Sequence, residues 1–186
     1  MISKRPSFMT AVGVVLVALL TLVPTAASGQ GQQKLGGSWL GVESDGGHRW
    51  TCIQTPLDSA ARHSALQVKF TVYSPLMAAL IGSTGADSFS DFVGEARMID
   101  RSTAQFTIVG YALKRSQLAL SPELKLIFVG FGTWEFRDSE HAVLHYWVNI
   151  YPAAADADGD GMPDPDSTPV YRFPITDTSV RVPILP

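Results

Sequence analysis

Apolar and polar residues alternate with a period of two over most of the chain beyond position 37, the signature of half-buried strands. Residues 65–73 show it most cleanly. Leu66, Val68, Phe70 and Val72 take one face, while Gln67, Lys69, Thr71 and Tyr73 take the other. Strands are also predicted at 38–44 and 48–54, joined through Asp45-Gly46-Gly47, a link suited to a hairpin. A short helix is predicted over 75–81. Ser74 can cap it, Pro75 suits its first position and Gly82 can end it. Residues 83–90 read as loop.

The middle of the chain repeats itself. Residues 94–106 align without gaps to 132–144, at an offset of 38 residues. Each copy reads as a strand, a polar turn around Asp100 or Asp138, and a returning strand that resumes at Ala104 or Ala142. An Asp in such a turn can accept from nearby backbone N–H groups, so both are expected to be structural. Ala96, Met98, Ala104, Phe106 and Ile108 form one face of the first copy. Trp134, Phe136, Ala142, Leu144, Tyr146, Val148 and Ile150 form the equivalent face of the second. These faces should be core. Glu95, Arg97, Glu135, Arg137, His141 and His145 belong to the opposite face, which an antiparallel sheet can leave wet.

A further apolar strand is expected at 124–131, and two short closing strands at 170–173 and 178–182. With about eight strands, one short helix and no βαβ rhythm, the fold class is all-β: an antiparallel up-and-down barrel, or a closed curved sheet.

The N-terminus reads as a secretory signal. Lys4 and Arg5 precede an uncharged apolar run over 8–23, and Ala26-Ala27-Ser28 fits a cleavage site. The run is shorter than the ~20 residues a membrane-spanning helix needs. The expected organisation is a signal peptide at 1–28, a flexible Gly/Gln-rich lead at 29–37 and a single barrel domain at 38–186. The mature domain should be exported, periplasmic or extracellular, with no stable membrane insertion. The chain has 14 basic and 17 acidic residues, a net charge of −3, and loss of Lys4 and Arg5 would make it −5. No basic patch suggests nucleic acid as a partner. Cys52 is the only cysteine, so no internal disulfide forms, and a buried apolar role is expected for it.

One segment carries a candidate chemistry. Asp156, Asp158, Asp160, Asp164 and Asp166 place five carboxylates within eleven residues, and Gly161 permits a sharp turn among them. This Asp-rich loop, at 152–169, is expected to hold a structural calcium ion. Its pattern resembles the calcium repeats of thrombospondin type 3. That resemblance implies side-chain ligands from Asp156, Asp158, Asp160 and Asp164 and a backbone carbonyl from Met162, with Asp166 one place from the usual final acid.

Gly37-Ser38-Trp39 on the first strand resembles the G-x-W signature of lipocalins (calycins). In that family the motif opens the first barrel strand and the Trp packs at the closed base.

His141 and His145 stand about 13 Å apart on a strand and cannot chelate one ion. His48 and His63 show no spacing partner. No nucleophile motif, phosphate loop or zinc signature is present. The leading expectation is therefore an exported β-barrel with a calcium loop and a small apolar ligand as candidate cargo. The alternatives are a barrel-type isomerase, cyclase or hydrolase with Glu95, Glu135 and Arg97 turned inward, or an adhesion or matrix protein.

Overall fold

The structure, a computed structural model, describes residues 34–43, 47–115 and 121–183. The predicted signal peptide lies outside the described residues, as do Asp45 and Gly46 of the first hairpin turn. The strands are β1 (Gly37–Glu43), β2 (Arg49–Pro56), β3 (His63–Val72), β4 (Ser88–Phe89), β5 (Phe92–Met98), β6 (Thr103–Lys114), β7 (Glu123–Phe136), β8 (His141–Pro152) and β9 (Tyr171–Arg181). All pairings are antiparallel. Each long strand pairs with the next in the chain, and β9 pairs back onto β1, so eight strands close a barrel without an edge. The two-residue β4 adds to the end of β6, where the sequence suggested only loop.

The alternation explains the core. Every residue assigned to the apolar faces of the two repeat copies is buried. Glu95, Arg97, His141 and His145 are exposed, and Glu135 is half-buried beside Arg137. The barrel is thus filled from inside by aromatic and aliphatic side chains. The two repeat turns have the same geometry. Asp100 Oδ1 accepts from the N–H groups of Ser102 and Thr103, and Asp138 Oδ1 accepts from those of Glu140 and His141.

Two boundaries differ from expectation. The strand predicted at 124–131 runs on into the second repeat copy as the single 14-residue strand β7, which pairs with β6 on one side and β8 on the other. The two closing strands are likewise one, β9. Pro174 is tolerated inside it because the proline is exposed and only its own N–H is missing from the ladder.

One barrel end is shut. Trp39 is buried edge-on to Trp134 at 5.4 Å, Phe136 adjoins both rings, and Arg181 lies 5.0 Å over the Trp39 face. Leu35 is fully buried, and the Gly36 N–H donates to Gln54. The other end carries the helix α1 (Pro75–Ser83), β4 and the Asp-rich loop. Ser74 caps α1 by accepting from the Met77 N–H, and Pro75 fills the first turn, as the sequence implied. Met77, Leu80 and Ile81 tie α1 to the core.

Candidate functional site

The barrel interior holds a polar network that the sequence reading did not assemble. It sits between the shut base and the aromatic end. Glu43 closes β1 and pairs in register with Asp177 of β9. His48 lies just before β2, and Trp50 follows two residues later, so both side chains turn inward. Tyr146 comes from the middle of β8. A register shift where β2 meets β3 at Arg49/Trp50 accommodates this entry. Gly41 lies opposite Trp50, and a Cβ there would fall 2.0 Å from the indole ring. Glycine thus clears the space through which the indole reaches Asp177.

Asp177 is fully buried. Its Oδ2 accepts from Trp50 Nε1 and from the Tyr146 hydroxyl at 2.9 Å, and lies 3.2 Å from His48 Nε2. Its Oδ1 has no hydrogen-bond partner among the described residues. The other imidazole nitrogen, Nδ1, is 2.7 Å from Glu43 Oε2. A neutral imidazole can donate from one nitrogen only, so carboxylates at both nitrogens favour the imidazolium. Burial opposes that charge, but Asp177 and Glu43 outweigh it and raise the His48 pKa above the ordinary histidine value. Burial and the adjacent Asp177 charge push the Tyr146 hydroxyl far up, so it remains a donor.

The network forms part of a pocket wall. Glu43, His48 and Tyr146 share that wall with Phe70, Phe92, Phe128 and Phe89, and Met77 of α1 lies across it. The free space is about 40 Å³. A second, drier gap of about 20 Å³ lies toward the base, lined by Trp50, Cys52 and Trp134. Apolar cavities that hold benzene are nearer 150 Å³, so occupation by a ligand of that size requires the lining to shift. Cys52 is buried as expected. Burial pushes its thiol pKa up to about 12, which removes it as a nucleophile.

The inward-carboxylate expectation therefore names the wrong residues. Glu95 points outward and pairs with His63 at 2.8 Å; Arg97 is exposed and Glu135 faces Arg137. Among the described residues, the carboxylates inside the barrel are Glu43 and Asp177. His63 pairs with Glu95, far from it in sequence, and His48 meets both the nearby Glu43 and the distant Asp177.

The Asp-rich loop lies between β8 and β9, at the same end as α1. Carboxylate oxygens of Asp156, Asp158 and Asp160 lie within 4.8 Å of one another. Three carboxylates this close together could hold a metal ion. Gly159 and Gly161 adopt φ of +76° and +88°, as the tight wrap requires. The Asp156 carboxylate accepts from the Gly161 N–H, and Asp160 accepts from the Met162 N–H. Asp164 accepts from the Ala157 N–H. Asp164 and Asp166 stand outside the triad's focus. Tyr111 of β6 ties the loop to the barrel by donating to the Gly161 carbonyl at 3.0 Å.

A closed antiparallel barrel of eight strands is compatible with a lipocalin-like fold. Comparison with protein-family models, with curated proteins and with solved structures finds no match to this chain.

Proposed function

We propose that this is an exported barrel that encloses a small, mostly apolar molecule bearing one polar group, with calcium pinning the loop beside the entrance. The observation that carries the reading is the aromatic pocket with Glu43, His48 and Tyr146 in its wall. A barrel built only for stability gains little from such a network, because apolar side chains of similar volume do as well or better. A polar wall in an apolar pocket instead fixes the orientation of a ligand.

The probe is p-cresol, whose ring suits the aromatic lining and whose hydroxyl can donate to a carboxylate. Titration calorimetry should show saturable binding. Met77→Trp, which enlarges a pocket-lining side chain outside the polar network, should weaken it about tenfold, equivalent to about 1.4 kcal/mol. No saturable heat at millimolar p-cresol removes the ligand from this reading.

Calcium makes a separate expectation. With a Kd near 10⁻³ M, the weak end for extracellular sites, 10 mM calcium stabilises the fold by about 1.4 kcal/mol. That is a rise in Tm of roughly 3–6 °C for a domain of this size. The double substitution Asp158→Asn/Asp160→Asn should abolish the rise, and equal melting of the unsubstituted protein with and without calcium rejects the ion.

A further inference from the structure

We infer that the barrel interior is a proton-transfer catalyst, in which the Glu43 carboxylate moves a proton between two carbons of a small ketone. This deepens the ligand-binding reading and rests on it. Three features of the wall point to chemistry as well as binding. Glu43 lines the aromatic pocket, so its carboxylate is presented to a ligand held among apolar side chains. His48 holds it from behind through Nδ1, at 2.7 Å, in a fixed orientation. Asp177, fully buried, fixes His48 from the far side and is itself fixed by Trp50 and Tyr146. Glu43 and His48 both border the pocket, and the fully buried Asp177 anchors His48. Nothing in it resembles nucleophilic catalysis. The Cys52 thiol lies at the lower gap and is held protonated.

The substrate class follows from the charges. Glu43 takes a proton from the carbon beside a carbonyl. The C–H electron pair becomes the new carbon–carbon double bond of a dienolate, and the negative charge moves to the carbonyl oxygen. The pocket then holds a neutral Glu43, the His48 imidazolium and the dienolate. The anion of the intermediate replaces that of the base beside the same cation, so the charge balance around His48 is preserved and no ion has to be created in an apolar space. Glu43 returns the proton at the far end of the allylic system. The result is a β,γ-unsaturated ketone turned into its conjugated isomer, with no oxidant, reductant or co-reactant. Glu43 is the catalytic residue; His48 and Asp177 are positioning residues.

The probe is 3-cyclohexenone, which becomes 2-cyclohexenone with a rise in ultraviolet absorption. Binding is followed by calorimetry and turnover by absorbance. In deuterium oxide, a proton that Glu43 exchanges with solvent before returning it should appear as label at the far, γ carbon of the conjugated product. Glu43→Gln should keep binding and lose roughly 10²–10⁴-fold in turnover, the usual share of a general base. Should that variant fail to fold, Glu43→Asp, which keeps the charge but shortens the reach, replaces it and should lose at least tenfold in turnover. His48→Gln should move the acid limb of the pH–rate profile to higher pH, because the charge that favours the carboxylate form is gone. A merely structural histidine would lower the rate without moving that limb. Saturable binding with no isomerisation and no label uptake above buffer overturns the proton transfer while leaving the ligand reading intact. Absence of binding overturns both. Turnover unchanged in the Glu43 variant overturns the assignment of the base.

Discussion

Replacing Asp177 with alanine should destabilise the fold by about 3–5 kcal/mol, as removal of one partner from a buried charged network does. For a domain of this size the loss corresponds to a fall in Tm of roughly 10 °C or more. The physical reason lies in what remains. Trp50, Tyr146 and His48 all direct hydrogens at Asp177 Oδ2, and the substitution leaves three buried donors with no acceptor there. His48 would also keep a charge with only Glu43 to offset it. The combined replacement His48→Leu/Tyr146→Phe/Asp177→Leu should recover much of the loss, since of the three donors only the Trp50 N–H then lacks its acceptor, and the less deeply buried Glu43 loses one partner. If the triple variant melts as low as Asp177→Ala, the network contributes net stability, and its presence needs no function to account for it. The pH dependence of the unsubstituted protein provides a second reading of the same site. The His48 pKa is raised on folding, so its stabilisation is complete below the unfolded value near 6.5 and is lost as pH rises through the folded value. Chemical denaturation at pH 6 and pH 9 should therefore show lower stability at pH 9, and His48→Gln should flatten that difference.

The polar network was hidden from the sequence for a specific reason. Period-two alternation marks which face a residue occupies, and on β6, β7 and β8 apolar residues alone identify the inner face. His48 and Asp177 occupy inner positions too, but as polar residues they read as breaks in the pattern. Asp177 alternates with Ile175 and Ser179 and is fully buried, yet a Pro at 174 and a Thr at 176 led β9 to be divided just where the register mattered. Glu43 and His48 flank the first turn, and turns are polar whatever they do. Their meeting with Asp177 depends on closure of β9 onto β1, a contact between opposite ends of the chain. Only one signal was available in advance: His48, Trp50 and Cys52 share a strand face, which places an imidazole among core residues. The Asp-rich loop was legible because its residues are neighbours. Even so, the turn brings three carboxylates to one focus and leaves Asp164 and Asp166 outside it.

Substitution of Gly94 or Gly132 by valine should destabilise the barrel by about 3 kcal/mol or more, at the upper end for overpacking, because the obstruction is main chain. The two glycines occupy the same place in the repeat, 38 residues apart. A Cβ on Gly94 would meet the carbonyl oxygen of Thr107 at 1.9 Å, and a Cβ on Gly132 would meet that of His145 at 2.2 Å. Thr107 and His145 stand at the same 38-residue offset, one place beyond the aligned copies. In both copies the strand passes so close over its neighbour that only a hydrogen fits, which is how a sheet bends tightly enough to close. The repeat thus encodes two matched corners of the barrel as well as two matched hairpins. Both variants should fall in denaturant midpoint by similar amounts. Gly82→Ala is the control. It lies in the exposed last turn of α1, a Cβ there meets nothing, and alanine should stabilise by about 0.5–1 kcal/mol through helix propensity. A valine at position 94 or 132 tolerated within about 1 kcal/mol would mean that the corners do not need glycine. The close approach of those strands, and with it the narrow barrel that crowds Glu43, His48 and Asp177 together, would then need another explanation.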